Sequence, residues 1–283
     1  MTTVGRPATQ HDPSSADTGV RPTERSALRA VALPAEHGGW SLTLEPVLLG
    51  LLVAWSLPGL ALGMAALLAF LARTPLKVVL VDLWRRRWLP RSRLAARVAT
   101  VELVAMVGLV VYAATATRQA FWLPLALAAP LVALELWFDM RSRGRRLLPE
   151  LAGTIGIGSV AAAVALAGGL DWRSAMGLWC VVAARGGAAI PYVRTQIARL
   201  HRRPSSVWPS DLAQVVGVVA VAMAAEVDAV PVTALVAVAV AGALNVVALR
   251  LEPRAAKVIG IQQMLVGTVV ILAVGLAHLA GWP

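Results

Sequence analysis

RTPLKVVLVDLWRRRWLPRSRLAAR, residues 73–97, carries eight Lys/Arg and a single acid, Asp82. It leaves one very apolar stretch and leads into another, each close to the roughly 20 residues an α-helix needs to cross hydrocarbon. A charged elbow between two such stretches reads as the loop joining two membrane spans. Cations gather in loops of this kind on one side of a bilayer. The elbow therefore sets the class of the whole chain, and its charge points to a site for an anionic, membrane-embedded substrate.

The same alternation recurs outward from it. The 283 residues are 58% hydrophobic and only 14% charged, with mean hydropathy +0.73. The fold class expected is all-α and polytopic, with about nine transmembrane helices. They fall at about 40–57, 59–83, 94–117, 121–140, 149–169, 172–197, 209–226, 230–250 and 259–280. One helical membrane domain, 33–283, follows a tail, 1–32, that is polar and contains Pro, Ser and Thr. The tail has no apolar core of a signal peptide and reads as a disordered cytoplasmic segment.

A net charge of +11 could suggest nucleic acid, but the cations lie in short loops between spans. With the N-terminus inside, 24 of the 26 Lys/Arg fall on one side, leaving Arg118 and Arg173 opposite. That bias predicts an N-in, C-out topology and no nucleic-acid partner. Cys180 is alone, so no disulfide framework and no cysteine metal site arises. Walker, dinucleotide, HExxH and Cys/His zinc spacings are absent, and no internal repeat is apparent, which counts against an inverted-repeat transporter.

A charge at mid-bilayer costs about 3 kcal/mol or more, so each intramembrane polar residue calls for a reason. His37, Ser41 and Glu45 share one face entering the first span; Glu45 lies too deep to be only an interfacial cap. Arg73 and Lys77 share a face of the second span with no acid within a turn. Asp82, on another face, can pair with Arg85 or Arg86. Glu135, Asp139 and Arg143 follow at spacings of four. The two carboxylates would repel unless a cation, a Mg²⁺ or a shared proton lies between them. Arg143 could be that cation, and two carboxylates are not a specific metal signature. Glu150 suits a helix N-terminus, while Glu102 is expected to pair with an Arg of a neighbouring helix. In the sixth span, RGGAAIP (185–191) predicts a break in the helix. Arg185, Tyr192, Gln196 and Arg199 lie on one face across it, with Arg194 close by. Such a break is tolerated where it lines a cavity or packs on protein. Asn245, Gln262 and Gln263 are expected to make interhelical hydrogen bonds. The ten Trp, mostly at span ends, read as interfacial belts.

PAEHGGWSLTLEPVLLGLLVA, the elbow ending WRRRWLPRSR, and RGGAAIPYVRTQIARLHRR together resemble the YwiC-like family of bacterial membrane proteins, over about residues 33–205. That resemblance implies a multi-pass protein of the bacterial plasma membrane. More distantly, LEPVLLG and PELAGTIGIGSVAAAVALAGG are similar to helices of the UbiA superfamily of intramembrane prenyltransferases. This likeness implies a UbiA-like bundle binding a prenyl diphosphate through Mg²⁺ at Asp-rich motifs near the cytoplasmic ends of helices two and six. Here the corresponding stretches are RTPLKVVLVD and PYVRTQIAR, and the Asp-rich signatures are absent.

The function expected is binding of a prenyl diphosphate or similar anionic lipid, with prenyl transfer or cyclisation as its enzymatic form. Arg73, Lys77, Arg185, Tyr192, Arg194 and Gln196 would bind the substrate. Asp82, Glu135 and Asp139 would orient it through a metal or by proton transfer, and His37 or Glu45 would act as acid or base. A proton-coupled transporter of a small anion and a non-catalytic assembly subunit are the alternatives. Membrane lipids are partners in every case.

Overall fold

The computed structural model describes residues 37–141 and 146–281; the polar tail and Arg143 lie outside them, and so does the side chain of His37. Nine helices and no strand are found among the described residues. They are α1 (His37–Val53), α2 (Leu57–Trp84), α3 (Pro90–Ala116), α4 (Trp122–Met140), α5 (Leu147–Ala167), α6 (Trp172–Leu200), α7 (Trp208–Glu226), α8 (Val232–Arg250) and α9 (Ala256–Leu279). Eight are long and apolar enough to cross a membrane. The described part of α1, at 17 residues, spans only about 25 Å. It ends at Val53 instead of running to 57, because Ser56 is taken as the N-cap of α2. The Ser56 hydroxyl accepts from the Gly59 amide at 2.9 Å, and Pro58 sits in the first turn.

Short connections make neighbours antiparallel, and the ends of the helices are closed in a repeated way. After α2, α6 and α7 the chain enters the left-handed region at Arg86, Arg202 and Asp228 (φ 51°, 53° and 54°). Amides two residues past each cap then reach back, Arg87 to Asp82, Arg203 to Ala198 and Ala229 to Ala224. This double reach-back satisfies the last carbonyls of each helix.

The layers follow from side-chain size. α5, with TIGIGSVAAAVALA along its length, is the most buried of the eight spans and α3 the least. Small residues let α1, α2, α4 and α6 all close on α5. α7, α8 and α9 complete the bundle on the far side of α6 and α1, while α3 packs chiefly on α2. One apolar cluster gathers Leu49, Ala161, Val181, Val221, Val238 and Val274; a second gathers Val47, Leu62, Ala113, Phe121 and Val164. All the basic loops fall at one end, hereafter the basic end. α6 is continuous from Trp172 to Leu200 with Pro191 inside it, so the expected break does not open.

Candidate functional site: two intramembrane ion clusters

The intramembrane charges resolve into two groups. The first lies at the basic end, where α2 and α4 run side by side in the same direction. Spacings of four put Arg73 above Lys77 on α2 and Glu135 above Asp139 on α4, and the two ladders meet. Arg73 Nε and Nη2 donate to Asp139 Oδ2 at 3.1 and 3.0 Å. Arg73 Nη2 also lies 2.7 Å from Glu135 Oε1, and Lys77 Nζ lies 3.1 Å from Asp139 Oδ1. The cation between the two carboxylates thus comes from another helix, where sequence spacing pointed to Arg143. Gly153 of α5 is what admits Glu135, since a Cβ there would overlap the carboxylate. Asp139 is one residue from the end of α4, so the group sits at the basic end of that helix, and α2 projects about 10 Å beyond Lys77. The Arg73 and Lys77 side chains are 36% and 46% exposed, whereas Asp139 is 3% exposed.

The second group lies deep. Glu45, Arg185 and Gly267 each stand midway along their helices, α1, α6 and α9. Arg185 Nη1 donates to Glu45 Oε2 at 2.9 Å, and Nη2 donates to the main-chain carbonyl of Gln263. Gln263 in turn donates to Asn245 Oδ1 of α8 at 2.8 Å, as expected for an interhelical bond. All four side chains are buried.

The remaining candidates go elsewhere. Asp82 does not pair with Arg85 or Arg86. Its carboxylate accepts from the Ser92 hydroxyl at 2.6 Å and from Arg91 at 3.3 Å, across the elbow. Ser92 also accepts from the Leu89 amide, so Asp82 staples α2 to the first turn of α3. Tyr192 is fully buried against Leu249 and Ile259. Gln196 donates to the Ala248 carbonyl at 3.0 Å and Arg199 to that of Leu249, so both cap the end of α8. Arg194 bonds Glu150 at 2.8 Å, tying α6 to α5. Glu102 Oε2 is buried without a hydrogen-bond partner, as is Gln262 Oε1. Among the described residues, the expected arginine partner of Glu102 and an interhelical bond through the Gln262 carbonyl oxygen are therefore not found.

Ser92, Gly153 and Gly267 were not singled out from sequence. For Gly267 a signal existed, because it follows Gln263 by four residues on the same face of α9.

The paired carboxylates of α4 are engaged by Arg73 and Lys77. No set of three His, Cys, Asp or Glu that could hold a metal is found among the described residues. What the basic-end group offers instead is two rim cations held by carboxylates and able to exchange partners with an anion.

Helices of spanning length with apolar outer faces define a multi-pass helical membrane protein. Residues 33–165, α1 through most of α5, match the family model of the YwiC-like protein, and that part of the chain is similar to it. The comparisons with curated proteins and with solved structures give no match. The matched stretch contains the whole basic-end group and Glu45; Arg185, Asn245, Gln263 and Gly267 lie beyond it.

Proposed function

We propose that this protein binds the anionic headgroup of an isoprenoid diphosphate, or of a comparable lipid, at the basic end of α2. Arg73 and Lys77 exchange Asp139 and Glu135 for phosphate oxygens, and the buried carboxylates set the orientation of the bound group. The observation that carries this is the partial exposure of both cations at the basic end, one turn apart on a single face. A guanidinium beside an ammonium suits a diphosphate, and charge-assisted hydrogen bonds of this type contribute about 1.5–3 kcal/mol each. Binding is what the arrangement supports. Prenyl transfer or cyclisation would also need an acid or base near the allylic carbon, and Glu45, the carboxylate considered for that role, is held by Arg185. The basic loops support, through the positive-inside rule, a reading of this end as the cytoplasmic face of a bacterial plasma membrane.

The test is equilibrium binding of radiolabelled geranylgeranyl diphosphate to the purified protein in nanodiscs. Arg73→Gln with Lys77→Gln should weaken binding at least about tenfold, while Arg93→Gln in the elbow should leave it unchanged. Competition by phosphatidate but not by geranylgeraniol would assign recognition to the phosphate. Equal binding by the double variant would end the proposal.

A further inference from the structure

The deep group is incompletely satisfied. Glu45 Oε1, Arg185 Nε and Gln263 Oε1 are all buried and all lack a hydrogen-bond partner among the described residues. The four side chains come from four helices and are between 4% and 7% exposed. A Cβ on Gly267 would overlap both Glu45 Oε1 and Arg185 Nη2, so the carboxylate occupies the notch left by the missing side chain. Burying an ion pair at this depth is expensive, and idle polar atoms add to the cost. An apolar cluster would hold α1, α6 and α9 together better, so the charges imply a use.

We propose that Arg185 and the Gly267 notch form a binding site for a small planar monovalent oxyanion, with the Glu45 carboxylate as its tethered, proton-releasable occupant. Glu45 takes up one proton and withdraws, and the anion enters against the guanidinium in its place. The charge balances on both sides of the exchange. A carboxylate and a guanidinium become a neutral acid, a guanidinium and a bound anion. The only bond made is the carboxyl O–H, and the bond broken is an O–H of hydronium in bulk solvent, which is left as water. The occupant must be small because the notch is the width of one side chain. Two coplanar oxygens suit it because they match the guanidinium fork. Gln263 and Asn245 supply neutral polar neighbours. The site shares no residue with the basic-end group and stands whether or not a lipid binds there.

The charged groups on the helices against α1 are otherwise engaged. On α2, Arg73 and Lys77 bond Asp139, and Asp82 bonds Ser92 and Arg91. Glu150 of α5 bonds Arg194, and on α6 Arg173 and Arg199 donate to main-chain carbonyls. Lys257 and His278 lie at the two ends of α9. On α1 itself the Ser41 hydroxyl faces the Glu45 carboxylate from one turn away. Arg185 is thus the charged side chain paired with Glu45 among the described residues.

Nitrate is the probe, titrated calorimetrically into the full-length protein in detergent from pH 5 to 8, with proton uptake read by an indicator dye. Wild type should bind nitrate about tenfold more tightly for each unit the pH falls, taking up one proton per nitrate. Glu45→Gln, which keeps an oxygen for Arg185, should bind nitrate with an affinity independent of pH. Gly267→Val, which fills the notch, should lose binding by at least tenfold. A flat wild-type pH profile, absence of nitrate binding at pH 5, or undiminished binding by a folded Gly267→Val protein would each overturn the proposal. If Glu45→Gln fails to fold, the wild-type proton stoichiometry decides alone.

Discussion

The two ion clusters use the same chemistry in opposite settings. At the basic end Asp139 is buried, Glu135 is partly buried and the cations form a rim, so water can replace a broken pair. Between α1 and α6 the Arg185 and Glu45 side chains are only 5% and 7% exposed, and nothing outside can take over either charge. An exposed pair is worth little, whereas removing one partner of a buried pair leaves an uncompensated charge. The difference teaches that the first cluster can trade partners at constant charge, while the second changes only when its charge state changes.

Glu45→Ala gives the largest effect. It strands Arg185 and should cost about 3–5 kcal/mol, seen as a large fall in the detergent-solubilised melting temperature. Replacing both residues by Leu should recover most of that loss, since no buried charge remains. Next comes Asp139→Asn. Arg73 and Lys77 lose their shared acceptor yet keep access to solvent, so the cost should be about 1–3 kcal/mol. If Asp139→Asn destabilises as much as Glu45→Ala, the two clusters are not different in kind and the comparison fails.

These pairings also show where sequence reasoning ends. The elbow, the nine apolar segments and most of their boundaries follow from composition and spacing, because crossing hydrocarbon demands long apolar runs. The shared faces of Arg73 with Lys77 and of Glu135 with Asp139 were legible for the same reason, through helical periodicity. Their partners were not. Arg185 and Glu45 are 140 residues apart, and Arg73 and Asp139 are 66 apart. Spacing rules look along one helix, which is why Asp82 was assigned to Arg85 or Arg86 when its partners lie around the turn. Pro191 was read as a break because it removes one hydrogen bond. The helix continues through it with packing on both sides, Gly186 against Thr154 and Leu42, and Thr195 bonding the Pro191 carbonyl at 2.8 Å.

A smaller effect keeps the proton chemistry of the deep pair distinct from that of the surface. Asp171 caps α6 at the end opposite the basic loops, accepting from the Ser174 amide at 3.0 Å. Hydrogen bonds from Ser174 hold its carboxyl below the usual range. Its contribution is therefore present above about pH 3.9, the ordinary value, and is lost as pH falls through the lower folded value. Asp171→Ala should cost about 1 kcal/mol at neutral pH, measured by thermal unfolding. Asp171→Asn should keep the cap and remove this acid-side loss. Neither variant should alter proton-linked behaviour between pH 5 and 8, so a change there would assign the proton to the wrong group.

The smallest effect comes from the elbow and has the opposite sign. Arg86 holds a left-handed conformation, φ 51°, at the position after the α2 cap where glycine is ordinarily favoured. Its amide bonds the Leu83 carbonyl, and the next amide bonds that of Asp82, the residue whose side chain staples α3. The backbone here is set by the cap and the staple, with the arginine side chain exposed. Arg86→Gly should therefore stabilise the protein, by up to about 1 kcal/mol in thermal unfolding, because it removes the strain of a non-glycine residue at positive φ. Its geranylgeranyl diphosphate binding should match wild type if, as proposed, the headgroup is held at Arg73 and Lys77. Loss of binding without loss of stability would move the site outward along α2, into the elbow itself.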